Sequence, residues 1–516
     1  MFKIVFYRSL FSQSAASLTA GYLASYIREN NYNVQLVLLE KDRMDNLTKI
    51  ISENDKYPVI IYKCNFQDYN EGTKLLSALK EVCPNSKIYI MGYFAEINAK
   101  QLIKKYEFVD GIVYGDGCDF AIAYGKSEGK KLIGGLFRMS NVSIYENREH
   151  TYIPLNKLPS PARDIEKTEQ CKYINLIWRN GCFGTCSFCH INLAKRPFSS
   201  RSIESVVDEI EDCYMNMGKR MFIFNDSVFW WSEKDDKSIE RFAQLIEEKG
   251  LDISFMIYLR CQTFIGEERL KLLKRVGLRR VFIGIENISD SFSDKYNKKV
   301  DEYDKILATF NRLKISYHIG FIIFHPSATV QEVVENIDYL YKLNKLYRLG
   351  IIVEKMRMLS VERINGNDER DIVDVAYDYQ FENPSVEKIY NVLCRFFNLF
   401  EVRDYENVCT STLYLINLYG NKYDEWNAPC MNHFNELIQE YNDFARLFFK
   451  DITEIHGNYN EDELFEYAKE KYCETFENYY YRLQAGRGLV YDYVSKRDSD
   501  LQLMVFHGQK RLNAYD

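Results

Sequence analysis

No apolar run in this sequence approaches the roughly 20 residues needed to cross a bilayer, although 46% of its 516 residues are hydrophobic. A membrane-spanning helix is therefore not expected. The opening Met1-Phe-Lys-Ile-Val-Phe-Tyr7 lacks a charged leader followed by a longer apolar stretch, which predicts a cytoplasmic protein. A basic excess is also missing. With 67 Lys and Arg against 74 Asp and Glu and a net charge of −7, no general attraction to nucleic acid or anionic membrane is expected. No nucleic-acid motif is visible. The 13 cysteines are odd in number and show no disulfide-like pattern, which fits a reducing compartment. Histidine is scarce, seven in all, and none precedes His150, so a first domain ending before it has no imidazole to offer a metal. Proline is scarce too, yet three of the nine, Pro154, Pro159 and Pro161, fall within eight residues and mark a stiff linker.

What is present organises into three regions around that linker. In residues 1–145 short apolar runs at Lys3–Tyr7, Val34–Leu39, Val59–Tyr62, Ile88–Met91 and Gly111–Tyr114 alternate with amphipathic stretches. This predicts an α/β, doubly wound, Rossmann-like domain with a parallel sheet. Between the first two runs, Leu18, Tyr22, Leu23 and Ile27 share one helical face. After a linker at 146–170, residues 171–360 alternate again. Strands are predicted at Tyr173–Trp178, Met221–Asn225, Ile253–Leu259, Val281–Ile285, His318–Phe324 and Gly350–Val353. Helices are predicted at Ser205–Asn216, Lys237–Glu248, Glu267–Val276, Glu302–Leu313 and Val330–Lys342. Residues 361–516 read as a mainly helical region whose many tyrosines, including Tyr479-Tyr-Tyr481, are packing residues.

The chemistry-bearing segment is Arg179-Asn-Gly-Cys-Phe-Gly-Thr-Cys-Ser-Phe-Cys-His190. Cys182, Cys186 and Cys189 stand three and then two residues apart, a spacing that chance produces roughly once in a hundred chains of this cysteine content. A cubane cluster normally takes four thiolates, so a tight group of three suggests an iron left open to a small molecule. Zinc is the alternative, with His190 as fourth ligand, but zinc sites favour paired two-residue gaps. A zinc protein of this kind would be a non-catalytic module.

This spacing, with Phe188 before the third cysteine, resembles that of radical SAM enzymes. The resemblance implies a [4Fe-4S] cluster on Cys182, Cys186 and Cys189, S-adenosylmethionine bound to the open iron, and reductive cleavage to a 5′-deoxyadenosyl radical. It also implies an electron donor such as flavodoxin or ferredoxin, and a TIM-like partial (β/α)6 barrel with its site at the carboxyl ends of the strands. Phe188 matches the family's aromatic position beside adenine. Asn225-Asp226-Ser227 lies where the family binds the methionine ammonium, though these residues are equally good helix N-caps. Arg260 could pair with the methionine carboxylate or brace a structural carboxylate. Glu286, after Phe282-Ile-Gly-Ile, ends a strand as in the family's ribose-binding turn, or is a surface glutamate. His318 and His325 flank a variant of the fifth-strand signature and could supply a proton, or be buried structural groups.

The linker Ile153-Pro-Leu-Asn-Lys-Leu-Pro-Ser-Pro-Ala-Arg163 and the turn Tyr114-Gly-Asp-Gly-Cys-Asp119 resemble those of the cobalamin-binding subfamily. A corrinoid would lie on the loops Tyr7–Ser12, Asn65–Asp68, Gly92–Ala95 and Gly115–Gly117, with Gly92, Gly115 and Gly117 at the points of close approach. Tyr93-Phe94 puts aromatic bulk where that family often has a second glycine, so the corrinoid stays open. The leading expectation is cobalamin-dependent C-methylation of a peptide or other natural-product precursor. The alternative is a corrinoid-free radical reaction such as epimerisation, dehydration, cross-linking or rearrangement.

Overall fold

The computed structural model describes residues 2–8, 17–40, 59–64, 69–140, 143–168, 171–189, 191, 197–261, 265–298, 303–359, 376–377, 379–400 and 402–505. Strands β1 (Phe2–Arg8), β2 (Val34–Glu40), β3 (Val59–Lys63), β4 (Lys87–Met91) and β5 (Gly111–Val113) form the parallel part of the first sheet. β6 (Gly135–Ser140) and β7 (Ser143–Asn147) extend it as an antiparallel hairpin. The order β2-β1-β3-β4-β5-β6-β7 is doubly wound, with its switch point between β1 and β3. The hairpin was not expected, because its outer strand is exposed on both faces and carries no apolar run. Helix Leu18–Glu29 starts on the Ser17 cap and buries Leu18, Tyr22, Leu23 and Ile27, the face anticipated from their spacing.

The second sheet is parallel and five-stranded among the described residues. Its members run in sequence order: β8 (Ile174–Leu176), β11 (Met221–Phe224), β12 (Ser254–Arg260), β13 (Leu278–Glu286) and β14 (Ser316–Phe321). Two short strands, β9 (Arg179–Asn180) and β10 (Ser199–Ser200), pair beside it and bracket the cysteine loop. Each connecting helix buries one apolar stripe. In Ile203–Met217, for instance, Ile203, Val206, Val207, Ile210 and Cys213 recur at helical spacing, between a Ser202 cap and a left-handed Gly218. The strand expected at Gly350–Val353 is instead a helix, Leu349–Val353. The sixth barrel position is taken further on, by a parallel bridge between Phe324 and Lys355 and a 2.6 Å bond from Met356 N–H to the Phe324 carbonyl. A short apolar run is compatible with either element, and packing decided it.

Four long helices, Pro384–Phe397, Val402–Tyr423, Pro429–Ile455 and Glu461–Ser495, and a short one, Ser499–Leu503, make up the C-terminal region among the described residues. Their core is aromatic. Phe448 lies 4.8 Å from Phe396 and 5.2 Å from Phe476, and Tyr441 is fully buried. Such pairs contribute about 0.5–1.5 kcal/mol each beyond area burial. Tyr479 packs as expected, 5.2 Å from Phe444, but Tyr481, expected to pack as well, is 70% exposed.

A buried charged network joins linker and barrel. Arg163 bonds Glu166 at 2.6 Å and also reaches Glu209, whose other oxygen takes Arg201. Gly21 of the first domain and Ala162 of the linker pair through backbone, a contact so close that a Cβ on Gly21 would come within 2.9 Å of the Ala162 carbonyl.

Candidate functional site

The cysteine loop begins where β8 and β9 end, and its root is held from below. Asp226, 1% exposed, accepts the backbone N–H groups of Trp178 at 3.1 Å and Arg179 at 2.6 Å. Burial pushes its carboxyl up to about 7, against those amides and the guanidinium of Arg179. Asp226 was expected beside the methionine ammonium. Its two oxygens are instead engaged with the loop's own backbone, because two amides at the strand end turn inward onto it. Arg179 lies over the Trp178 ring at 3.7 Å and forms a two-pronged pair with Asp235. Asn225 and Ser227 remain half-buried at the carboxyl end of β11.

Above this root the three thiols share one loop, Cys186 buried and the other two half-buried. Arg260, the last residue of β12, donates to Cys182 Sγ at 3.3 Å and reaches Cys186 Sγ at 3.8 Å. Gly184 makes this approach possible, since a Cβ there would fall 1.7 Å from the guanidinium. Arg260 therefore reaches two of the three sulfurs. Burial raises the Cys186 thiol, opposed by the charges of Lys298 and Arg260. The donor chemistry fits a cubane, three thiols on one loop with the Arg260 guanidinium beside two of them where an anionic core is stabilised, although among the described residues they are not drawn together into a metal-holding group. His190 lies outside the described residues, as do the loop positions 9–12 and 65–68.

Glu286 stands across the mouth. The register pairs Gly284 with Gly320 but Glu286 with Phe321, an irregularity that re-aims the strand end and leaves Glu286 at φ 72°. Its side chain is 17% exposed and folds back over Gly284, where a Cβ would meet its carboxylate at 2.5 Å. It is a strand-end group and not a surface glutamate. Lys298 faces it at 3.8 Å. Sequence reasoning missed Lys298, whose only signal is its place just past a short helix, Asp290–Tyr296.

Phe188 packs on Phe292 and Tyr296 at 6.0 and 6.3 Å, and the same two rings pack on His325. His325 is 1% exposed, with Nε2 3.0 Å from Glu332 and Nδ1 3.4 Å from Ser327. It is a buried structural imidazole behind the aromatic wall. His318 lies deeper in the barrel, its ring stacked on Phe282 at 5.3 Å and its Nδ1 3.0 Å from Arg280. Arginine only donates, so Nδ1 is the acceptor there.

In the first domain, the space beside each expected glycine is filled by protein. A Cβ on Gly92 would meet the Cys64 carbonyl at 2.7 Å, one on Gly115 the His150 ring at 2.7 Å, and one on Gly117 the Met91 side chain at 3.3 Å. Internal packing accounts for all three. Tyr93 and Phe94 turn inward, Phe94 lying 5.1 Å from Tyr69. His150, outside the expected domain limit, nevertheless stands at the carboxyl edge against Gly115.

The sequence profile of the Radical SAM superfamily matches residues 176–340. That range runs from the end of β8 through the cysteine loop, Arg260 and Glu286. The anaerobic magnesium-protoporphyrin IX monomethyl ester cyclase of Rubrivivax gelatinosus is 24% identical over 366 residues, 63% of this chain and 60% of the cyclase. The ribosomal protein uS12 methylthiotransferase RimO of Thermosipho africanus is 25% identical over 356 residues, 61% of this chain and 70% of that protein. Among solved structures, the cobalamin-dependent S-adenosylmethionine radical enzyme OxsB, with aqua-cobalamin and S-adenosylmethionine bound, superposes with a TM-score of 0.69. The match covers 97% of this chain and 81% of OxsB at 15% identity. The radical S-adenosylmethionine methyltransferase TsrM from Kitasatospora setae, with tryptophan substrate and aza-SAM bound, reaches 0.53 over 66% of this chain and 71% of its own, at 16% identity. An enzymatic domain in this position overturns the reading as a non-catalytic zinc module. Residues 176–340 thus match the Radical SAM superfamily, within a chain that spans about 60% of the cyclase and shares the fold of OxsB.

Proposed function

We propose that this enzyme methylates an unactivated carbon of a peptide or other natural-product precursor, with a corrinoid on the first domain as methyl carrier. The observation behind this reading is the joining of two edges. Ile153 N–H donates to Asp116 on the carboxyl edge of the first sheet, and two residues later Leu155 N–H donates to Ser199 of β10, beside the cysteine loop. Two residues span at most about 7 Å, so a ligand on the first edge would lie close to one on the loop. Bound there, the cluster with S-adenosylmethionine would supply a deoxyadenosyl radical and the corrinoid a methyl group.

The chain's own residues divide the work of holding and orienting. Cys182, Cys186 and Cys189 hold the cluster, and Arg260 with Asn225 faces the methionine carboxylate and ammonium. Glu286 accepts hydrogen bonds from the ribose hydroxyls, and Phe188, backed by Phe292 and Tyr296, forms the wall against adenine. A flavodoxin- or ferredoxin-type protein delivers the electron. Anaerobic reconstitution with S-adenosylmethionine and hydroxocobalamin tests the proposal. Retained corrinoid and S-adenosylhomocysteine are expected, and absence of both removes methyl transfer.

The glycine contacts favour a second reading. Because Gly92, Gly115 and Gly117 each face protein atoms, their presence does not call for a nucleotide tail. A corrinoid-free enzyme would yield 5′-deoxyadenosine with no S-adenosylhomocysteine.

A further inference from the structure

We propose that Lys298 sets the reduction potential of the cluster, acting as a buried ammonium paired with Glu286 at a helix end bonded to the cysteine loop; this rests on cluster occupancy of that loop. Lys298 is 4% exposed, and its ammonium stands 3.8 Å from Glu286. Lys298 and Arg260 both favour the Cys186 thiolate against burial, with Glu286 opposing them.

Its place is fixed from both sides. Lys298 N–H bonds the Ser293 carbonyl at 3.1 Å, closing the helix over a left-handed Asn297. Asn297 donates to Thr185 Oγ1 at 2.7 Å, and the Tyr296 carbonyl accepts from Ser187 N–H at 3.1 Å. The helix end that carries Lys298 is thus bonded to residues on both sides of Cys186. The helix end cannot shift without moving the loop.

A cluster held by three thiolates is anionic, and one-electron reduction adds a further negative charge. A fixed cation in a poorly solvated place favours the reduced state and raises the potential. Burial of a lysine is costly unless it is paired, and Glu286 meets that cost. Lys298 is a positioning residue: it acts on the cluster through the field and on the ribose site through Glu286.

Potentiometric titration of anaerobically reconstituted wild type, Lys298→Met and Lys298→Arg, followed by electron paramagnetic resonance, tests this, with iron and sulfide measured on the same samples. The expected result is a more negative midpoint for Lys298→Met and a wild-type midpoint for Lys298→Arg at equal iron content. An unchanged midpoint in Lys298→Met overturns it. If Lys298→Met holds no cluster, Lys298→Gln is read in its place, and loss of cluster from Gln and Arg variants alike overturns it as well. Wild-type protein without iron and sulfide would remove the cluster reading itself, a distinct failure.

Discussion

Asp226 accepts the backbone N–H of Arg179 at 2.6 Å inside the protein, at the root of the loop that carries the three cysteines. Burial holds its carboxyl up at about 7, so between about pH 4 and 7 the folded chain retains a proton that the unfolded chain releases. The stability this group contributes is fully present below the unfolded value and declines as pH rises through 7. Asp226→Asn removes the titration, so melting of the cluster-free protein at about pH 5 and 8 should show the wild-type advantage shrinking as pH rises. An advantage that grows with pH contradicts this assignment.

Glu286 should matter for cofactor affinity more than for folding. Glu286→Gln keeps the shape but weakens charge-assisted acceptance of two hydroxyls, at about 1–3 kcal/mol, or roughly tenfold to a hundredfold in the affinity for S-adenosylmethionine. Cluster content should be unchanged. Equilibrium binding of the reconstituted protein measures it, and equal affinity refutes the ribose role. A Glu286→Val variant should also lose stability, because a β-branched residue tolerates φ 72° poorly.

The pair His325 and Glu332 predicts an acid-sensitive support. Burial raises the Glu332 carboxyl, but hydrogen bonds from His325 and Ser289 outweigh it and hold the group below its ordinary range. Its contribution is therefore present above the usual carboxylate value and is lost as pH falls below it. His325→Phe fills the ring's space yet removes the partner, which should cost about 1–3 kcal/mol near neutrality and less in acid. Chemical denaturation at two pH values reads this out, and a cost larger in acid would be inconsistent with it.

Glu209 lies between Arg163 and Arg201, with all three side chains buried. Glu209→Ala leaves two guanidiniums without that carboxylate, a loss of about 3–5 kcal/mol. Glu209→Gln should lose less. A denaturation midpoint within error of wild type for the alanine variant would show the network to be energetically idle.

Legibility in the sequence followed the range of the interactions. Strands Phe222–Phe224 and Val281–Ile285 were readable because a buried parallel strand is apolar on both faces, and the helix burying Leu18 to Ile27 because its face recurs every three or four residues. The segment Gly350–Val353 misled because four apolar residues carry no period of their own. Arg260 and Glu286 were recognisable as strand-end polar groups after apolar runs. What Arg260 touches was not, since its sulfur partners sit more than seventy residues away.

The three-cysteine spacing, the alternation of apolar runs and the proline cluster at 154–161 were enough to carry the resemblance and the expected order of the regions. These are local patterns, written by neighbours in the chain. Tertiary structure alone decided that Asp226 serves the loop's backbone, that His325 is sealed behind Phe292 and Tyr296, and that Lys298 stands beside Glu286 near Cys186. Those outcomes depend on strand register and on the bonds that close one loop upon another, and neither is encoded at any fixed spacing in the sequence.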